Sequence, residues 1–518
     1  MIRNLSSRDM DRRRFLRMGG ALSGLGAVSP FAMQLAAAGS VAAASAPDYK
    51  ALVCIFLYGG NDSNNMVVPT DQDSYNRYWQ ARFTGDQPIA LMPVGTTKTA
   101  IGQVSPVTGR TVTIEMPEAW GGLLPIEPKT ANPVPAGTSA TARTFGLHPM
   151  MGPAQALFNI GRLGVMANVG TLIHPTTRAD FENNNNLPAN LFSHNDQSNM
   201  WQSGGIEGTD VGWGGKMADM IVGGNGQNSL FTAITTQGNT VFLSGENTLQ
   251  FPINVYGNPA QEIDGTTGWL YGSDVPSAEL KKVIQDQGST SWFANDHAHV
   301  VARALSSTDI INTAFQGPLP AGLQATPAYI NPFTTQTSDS NFIRQMHAVA
   351  QMVAAGPGLG LKRQVFFVAQ GGYDTHTFQN QTQPLLMAEL SQGLRHLDQA
   401  LSNVGGIDMR GNVTAFTASD FSRTYSTNGD GTDHAWGGHQ LIWGGAVKGK
   451  DMYGQFPTVG IDKAGFHNPN ISDSAMIPTT SVDQYAATMG RWFGVGDSDL
   501  HAIFPNLGNF STPYLNFL

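Results

Sequence analysis

Three hydrophobic runs in this chain each empty into a loop that carries an acid. Ala51 to Tyr58 leads into Gly59-Gly60-Asn61-Asp62, Gln364 to Ala369 leads into Gly371-Gly372-Tyr373-Asp374-Thr375-His376, and Val413 to Ala418 leads into Ser419-Asp420. Apolar runs of this length without polar alternation are strands covered on both faces. Such strands belong to parallel sheets, whose ligands bind at the carboxyl edge. A single Asp after a strand says little, but three converging on one sheet edge would form a metal cage. Between the second and third runs, Leu386, Leu390, Leu394, Leu397 and Leu401 repeat at helical spacing from Pro384 onward, giving strand, acidic loop, crossover helix, strand. The fold class expected is α/β: a mostly parallel central sheet with helices on both faces and long loop insertions.

Further residues with metal-binding chemistry follow the third run. Asp420, Asp433, His434 and His439 are spaced by glycines that let a loop fold back on itself, a candidate ligand set for a divalent cation such as zinc, manganese or calcium. An EF-hand frame is set aside, because it would need Glu where Gly437 stands. Asp62 reads equally as a ligand, a turn former or a helix N-cap. Ser193-His194 lies between a strand (Leu163 to Asn168) and an expected helix, where a serine can be a nucleophile but is more commonly an N-cap. No Gly-x-Ser-x-Gly elbow occurs, so an α/β-hydrolase reading has no anchor. Gly356-Pro-Gly-Leu-Gly360 follows a helix and precedes a strand, the reverse of a dinucleotide fingerprint, and is a helix stop.

Composition narrows the class. The 518 residues are 41% hydrophobic, enough for a sizeable core, while only 13% are charged and 60 are glycine, which implies long polar loops. A net charge of -9 gives no broad footprint for nucleic acid. The lone Cys54 lies in an apolar run, so no intramolecular disulfide forms, and the Ile55-Phe56-Leu57 that follows it disfavours the Cys-x-Pro-x-Arg type of sulfatase.

Near the start, Asp11-Arg12-Arg13-Arg14-Phe15-Leu16-Arg17 precedes a weakly apolar Gly/Ala-rich stretch with Ala-x-Ala options before Pro47, the layout of a twin-arginine export signal. Glycines and Pro30 break that stretch, so it does not read as a spanning helix, and no integral membrane segment is expected in the mature chain. Residues 1–46 are therefore read as a signal peptide and 47–518 as a single domain with an insertion at about 70–142, destined for the periplasm or for secretion.

The order of Phe56-Leu57-Tyr58-Gly59-Gly60-Asn61-Asp62, Phe145-Gly-Leu-His-Pro149, Ser193-His194, Asp374-Thr-His376, Ser419-Asp420-Phe421-Ser422-Arg423-Thr424, Asp433-His434 and Trp492-Phe-Gly494 resembles the exported bacterial family called domain of unknown function 1501. That family is similar in design to the alkaline phosphatase superfamily. The resemblance implies an alkaline-phosphatase-like fold, with Asp62 as a first-strand metal ligand, Asp374 and His376 as a later ligand pair, Asp420 as a further acid, and His434 or His439 as the last imidazole. Ser193 stands where a nucleophile is expected, with His194 the alternative. The family more often has Glu-Phe-Gly where Asp420-Phe421-Ser422 stands. The function so implied is a metal-dependent hydrolase of phosphoryl or sulfuryl esters on small-molecule or polymer substrates. The alternative is an exported, non-catalytic binding or assembly protein on the same scaffold, with a protein partner.

Overall fold

A computed structural model describes residues 48–134, 142–316, 323 and 325–518. The twin-arginine segment, and residues 135–141 of the expected insertion, lie outside the described residues. Ala51 to Leu57 are all buried, which places this strand at the middle of the main sheet. Among the described residues that sheet has nine strands: β1 (Lys50–Leu57), β2 (Leu163–Gly170), β3 (Ala233–Thr235), β4 (Gln250–Pro252), β5 (Arg363–Gln370), β6 (Val413–Ser419), β7 (Gly438–Gly444), β8 (Met452–Tyr453) and β9 (Thr480–Ser481). The order is β8-β2-β7-β6-β1-β5-β3-β4, with β9 also pairing with β2. All pairings are parallel except those of β7, which runs antiparallel to both β6 and β2. The carboxyl ends of β1, β2, β5 and β6 therefore share one edge.

Side chains alternate across β1, and each set joins a different core. Ala51, Val53, Ile55 and Leu57 pack with helices α3 (Asn341–Ala355) and α4 (Gln379–Leu401), through residues such as Met346, Val349, Leu390 and Leu394. Leu52, Cys54 and Phe56 pack on the opposite face with α2 (Trp213–Ile221) and α5 (Val482–Phe493), through Trp213, Met217, Tyr485 and Met489. Each fully buried large apolar side chain contributes about 1.5–3 kcal/mol, so this strand anchors both layers. No helix of the described residues is long and apolar enough to cross a membrane.

One boundary differs from the sequence expectation for a local reason. Helix α4 starts at Gln379, five residues before Pro384, because Gln379 and Gln383 both donate to Asp62 and hold the extra turn in place. The 70–142 stretch does not stand apart. Its strand Leu124–Ile126 and the preceding Val67–Pro69 flank Phe145–Leu147 in a small antiparallel sheet, and its helix Gln72–Arg82 delivers Arg82 into the interior.

Helix α5 carries a buried acid with a testable consequence. Burial pushes the Asp483 carboxyl up to about 7, against weaker opposing hydrogen bonds from Asn506. The favourable field of a helix N-terminus is worth only about 0.3–1 kcal/mol, so burial wins. A raised folded pKa means that the stability is fully present below about pH 4 and is lost as pH rises towards 7. Asp483→Asn should therefore stabilise the protein increasingly between pH 5 and pH 8, by at most about 4 kcal/mol at pH 8. Urea midpoints at the two pH values test this, and a pH-independent difference would contradict it.

Candidate metal centre

Four side chains from three segments converge beyond the carboxyl edge of the sheet. Asp374 and His376 leave β5, and His194 is the first residue of α1 (His194–Ser203), which follows β2 in the chain. His434 lies in the loop between β6 and β7, where residues 422–424 pair backbone to backbone with 433–435. Asp374 Oδ1 lies 3.2 Å from His376 Nε2, 3.4 Å from His434 Nε2 and 3.5 Å from His194 Nε2. The Nε2 atoms of His376 and His434 are 2.9 Å apart. One ligand atom each of His194, Asp374 and His434 lies within 4.8 Å of the others. With Asp374 48% exposed, the cluster is open to solvent.

The outer nitrogens decide what the inner ones can do. His194 Nδ1 lies 2.6 Å from Asp420 Oδ2, His376 Nδ1 lies 2.9 Å from Asp433 Oδ1, and His434 Nδ1 lies 2.7 Å from the Phe192 carbonyl oxygen. All three partners are acceptors, so each Nδ1 carries a ring proton, and in the neutral ring Nε2 is left to present a lone pair. Two imidazole lone pairs 2.9 Å apart, beside a carboxylate, repel unless a cation or proton sits among them. Donors held about 2.0–2.1 Å from one tetrahedral metal stand about 3.3 Å from each other, close to the three separations from Asp374 Oδ1; His194, Asp374 and His434 form the mutually close set, and His376 lies at its edge against Asp374 and His434. The residues therefore fit a divalent cation, and imidazoles oriented through Nδ1 by carboxylates or carbonyls are the usual ligands of one.

Charge at the cluster is tuned by its neighbours. Burial works to raise the Asp374 pKa, but the Arg423 guanidinium, whose Nη2 donates to Oδ1 at 2.8 Å, leaves it below the usual range. The bond to Asp420 raises the pKa of His194 against its partial burial, whereas burial lowers that of His434. The Phe421 ring lies under His194 and His434, with centroids 4.7 and 4.6 Å away. Gly60 is required for that ring: it has φ +77°, and a Cβ there would stand 2.4 Å from Phe421 Cε2.

The other expected site residues are placed elsewhere. Asp420 is buried and accepts from Gly59 N, Ser198 Oγ and His194, so it orients an imidazole and does not reach the shared centre. Asp433 does the same for His376. Asp62 is in a buried two-pronged pair with Arg82, with Arg82 Nη2 to Asp62 Oδ1 at 3.0 Å, and it caps a short helix; both carboxylate oxygens are thereby committed to Arg82, Gln379 and the Asn64 backbone N–H. His439 is buried in β7, accepts from Asn168 N at 3.1 Å and stacks on Phe456, with its pKa lowered to about 3 by burial. Ser193 is the N-cap of α1, its Oγ donating to Asp196 Oδ2 at 2.8 Å.

Arg82, Gln379 and Arg423 had no assigned role in the sequence reading. Arg423 follows Asp420 by three residues, and its spacing from a strand end was the available signal. Arg82 and Gln379 had none, since their partner Asp62 is 20 and 317 residues distant in sequence.

A largely parallel α/β sheet with a carboxylate and three imidazoles at its carboxyl edge defines a candidate metalloprotein. The chain belongs to the family described as protein of unknown function (DUF1501), whose model matches residues 49–251 and 328–504. Neither a curated protein nor a solved structure matched the chain.

Proposed function

We propose that this chain is an exported metal-dependent hydrolase of phosphoryl or sulfuryl esters, with His194, Asp374, His376 and His434 holding a divalent cation. The observation that carries this reading is the set of three Nδ1-anchored imidazoles whose Nε2 atoms lie within 3.5 Å of one Asp374 oxygen. A donor set of three nitrogens and one carboxylate suits zinc or manganese better than calcium, which takes six to eight oxygens. When bound, such a cation supplies Lewis-acid stabilisation of charge on a phosphoryl or sulfuryl oxygen. Arg423 holds Asp374 in place, and Asp420, Asp433 and the Phe192 carbonyl keep the ring protons on the outer nitrogens. In hydrolysis the water oxygen bonds to phosphorus or sulfur, the ester bond breaks, and the departing alcohol takes up a proton.

Ser193 serves in this reading as a helix cap. Ser193→Ala should lower stability by about 1 kcal/mol and leave metal content and ester hydrolysis in place. A loss of several orders of magnitude in rate, with metal retained, would instead make its hydroxyl the nucleophile. The proposal as a whole is tested by screening the metal-loaded protein against phosphate monoesters, diesters and sulfate esters. Turnover that disappears in Asp374→Ala supports it. Full metal occupancy without turnover on any class would favour the non-catalytic binding protein.

A further inference from the structure

The metal cluster opens on one side into a second space. A cleft of about 360 Å³ has His194 and Asp420 at one end and runs along α1 towards Thr240. That volume falls within the roughly 300–1,000 Å³ of small-molecule sites. Helix periodicity builds the wall. His194 and Ser198 turn towards Asp420, while Asn195, Asn199 and Gln202, at the adjacent helical positions, line the cleft. Tyr58, 36% exposed just after β1 and packed on Phe56, supplies an aromatic ring to the lining, and Glu207 supplies a carboxylate.

The chemistry of this lining is selective. No Lys or Arg lines the cleft among the described residues, and Glu207 would repel an anion, so a nucleotide or polyphosphate tail is a poor occupant. An apolar group is equally poor: although Asn195 already reaches Glu207 and Gln202 accepts from Thr240 and Phe242, it would desolvate the exposed Glu207 carboxylate and the amide of Asn199. Side-chain amides and carboxylates instead offer paired donors and acceptors that match vicinal hydroxyls, and an aromatic face packs on the C–H face of a sugar ring. Asn199 commits one amide hydrogen to the Asn195 carbonyl, and among the described residues its Oδ1 has no partner.

We infer that this cleft is a subsite for the uncharged, polyhydroxylated part of a carbohydrate ester, whose phosphate or sulfate group reaches the metal cluster. The ester half of the inference rests on the hydrolase reading, while the sugar subsite stands on the lining alone.

The test is saturation-transfer NMR on the mature chain with a panel of neutral glucose, galactose, N-acetylglucosamine and xylose tetrasaccharides. The wild type should transfer magnetisation to ring protons of at least one of them. Asn199→Leu and Glu207→Ala, two independent changes at solvent-accessible positions, should each weaken that binding at least tenfold, and His434→Ala should retain it. No transfer to any tetrasaccharide, or equal affinity in both cleft variants, overturns the subsite. Sugar binding without ester hydrolysis would leave the subsite and remove the hydrolase reading. Hydrolysis of aryl esters without sugar binding would do the reverse.

Discussion

Arg82→Ala should destabilise the protein by about 3–5 kcal/mol, because it leaves Asp62 buried with its charge uncompensated. Both side chains have no exposure, and Arg82 also donates to Asn65 Oδ1 and to the carbonyls of Thr424 and Tyr425, so the loss reaches the loop behind the site. A loss of that size is a large fraction of the roughly 5–15 kcal/mol that separates folded from unfolded domains. Asp62→Ala should cost a comparable amount by stranding the guanidinium, whereas the double variant Arg82→Leu with Asp62→Ala should recover much of it. The metal content of whichever variants fold should match that of wild type. Denaturant midpoints with elemental analysis read both quantities, and an Asp62→Ala protein that stays stable but loses its metal would restore Asp62 as a ligand.

The second large effect belongs to the cluster itself. Asp374→Ala, His376→Ala and His434→Ala each remove one donor and should lower bound metal, with a fall in melting temperature that appears only when metal is present, since binding to the native state alone adds stability. In metal-free buffer Asp374→Ala should have a different sign of effect from the histidine changes. It leaves Arg423, fully buried and with Nε and Nη1 unpartnered among the described residues, without the one carboxylate that it pairs with among them. The histidine changes instead relieve the 2.9 Å contact between two Nε2 atoms. His376→Ala should therefore be neutral or mildly stabilising without metal and destabilising with it. Destabilisation in both buffers alike would mean that the imidazole is structural.

The sheet was legible because burial on both faces writes an unbroken apolar run: the limits expected for β1, β5 and β6 agree with the structure to within about one residue. The sheet-edge loops were legible for the same reason, and Asp374, His376 and His434 do meet there. What the sequence could not separate was a carboxylate that faces the shared cluster from one that lies behind an imidazole. Asp420 and Asp374 have the same local signature, an acid after a buried strand, yet one is buried under His194 and the other faces solvent. That distinction depends on a histidine 226 residues away. Of the readings open for Asp62 the helix N-cap is the one the structure shows, but its pairing with Arg82 was not legible, since Arg82 lies in a stretch whose composition reads as a loop insertion. The antiparallel direction of β7 was equally unreadable, because Gly438 to Gly444 is buried on both faces whichever way it runs.

The central claim is that the cluster around Asp374 holds a divalent cation. Titrating the chelator-stripped, full-length mature protein with zinc and with manganese in a calorimeter tests it most directly. About one ion should bind per chain with at least one of the two metals, and His434→Ala should bind far more weakly. A stripped wild-type protein that takes up neither metal, or that binds one as tightly after His434→Ala, would contradict the account.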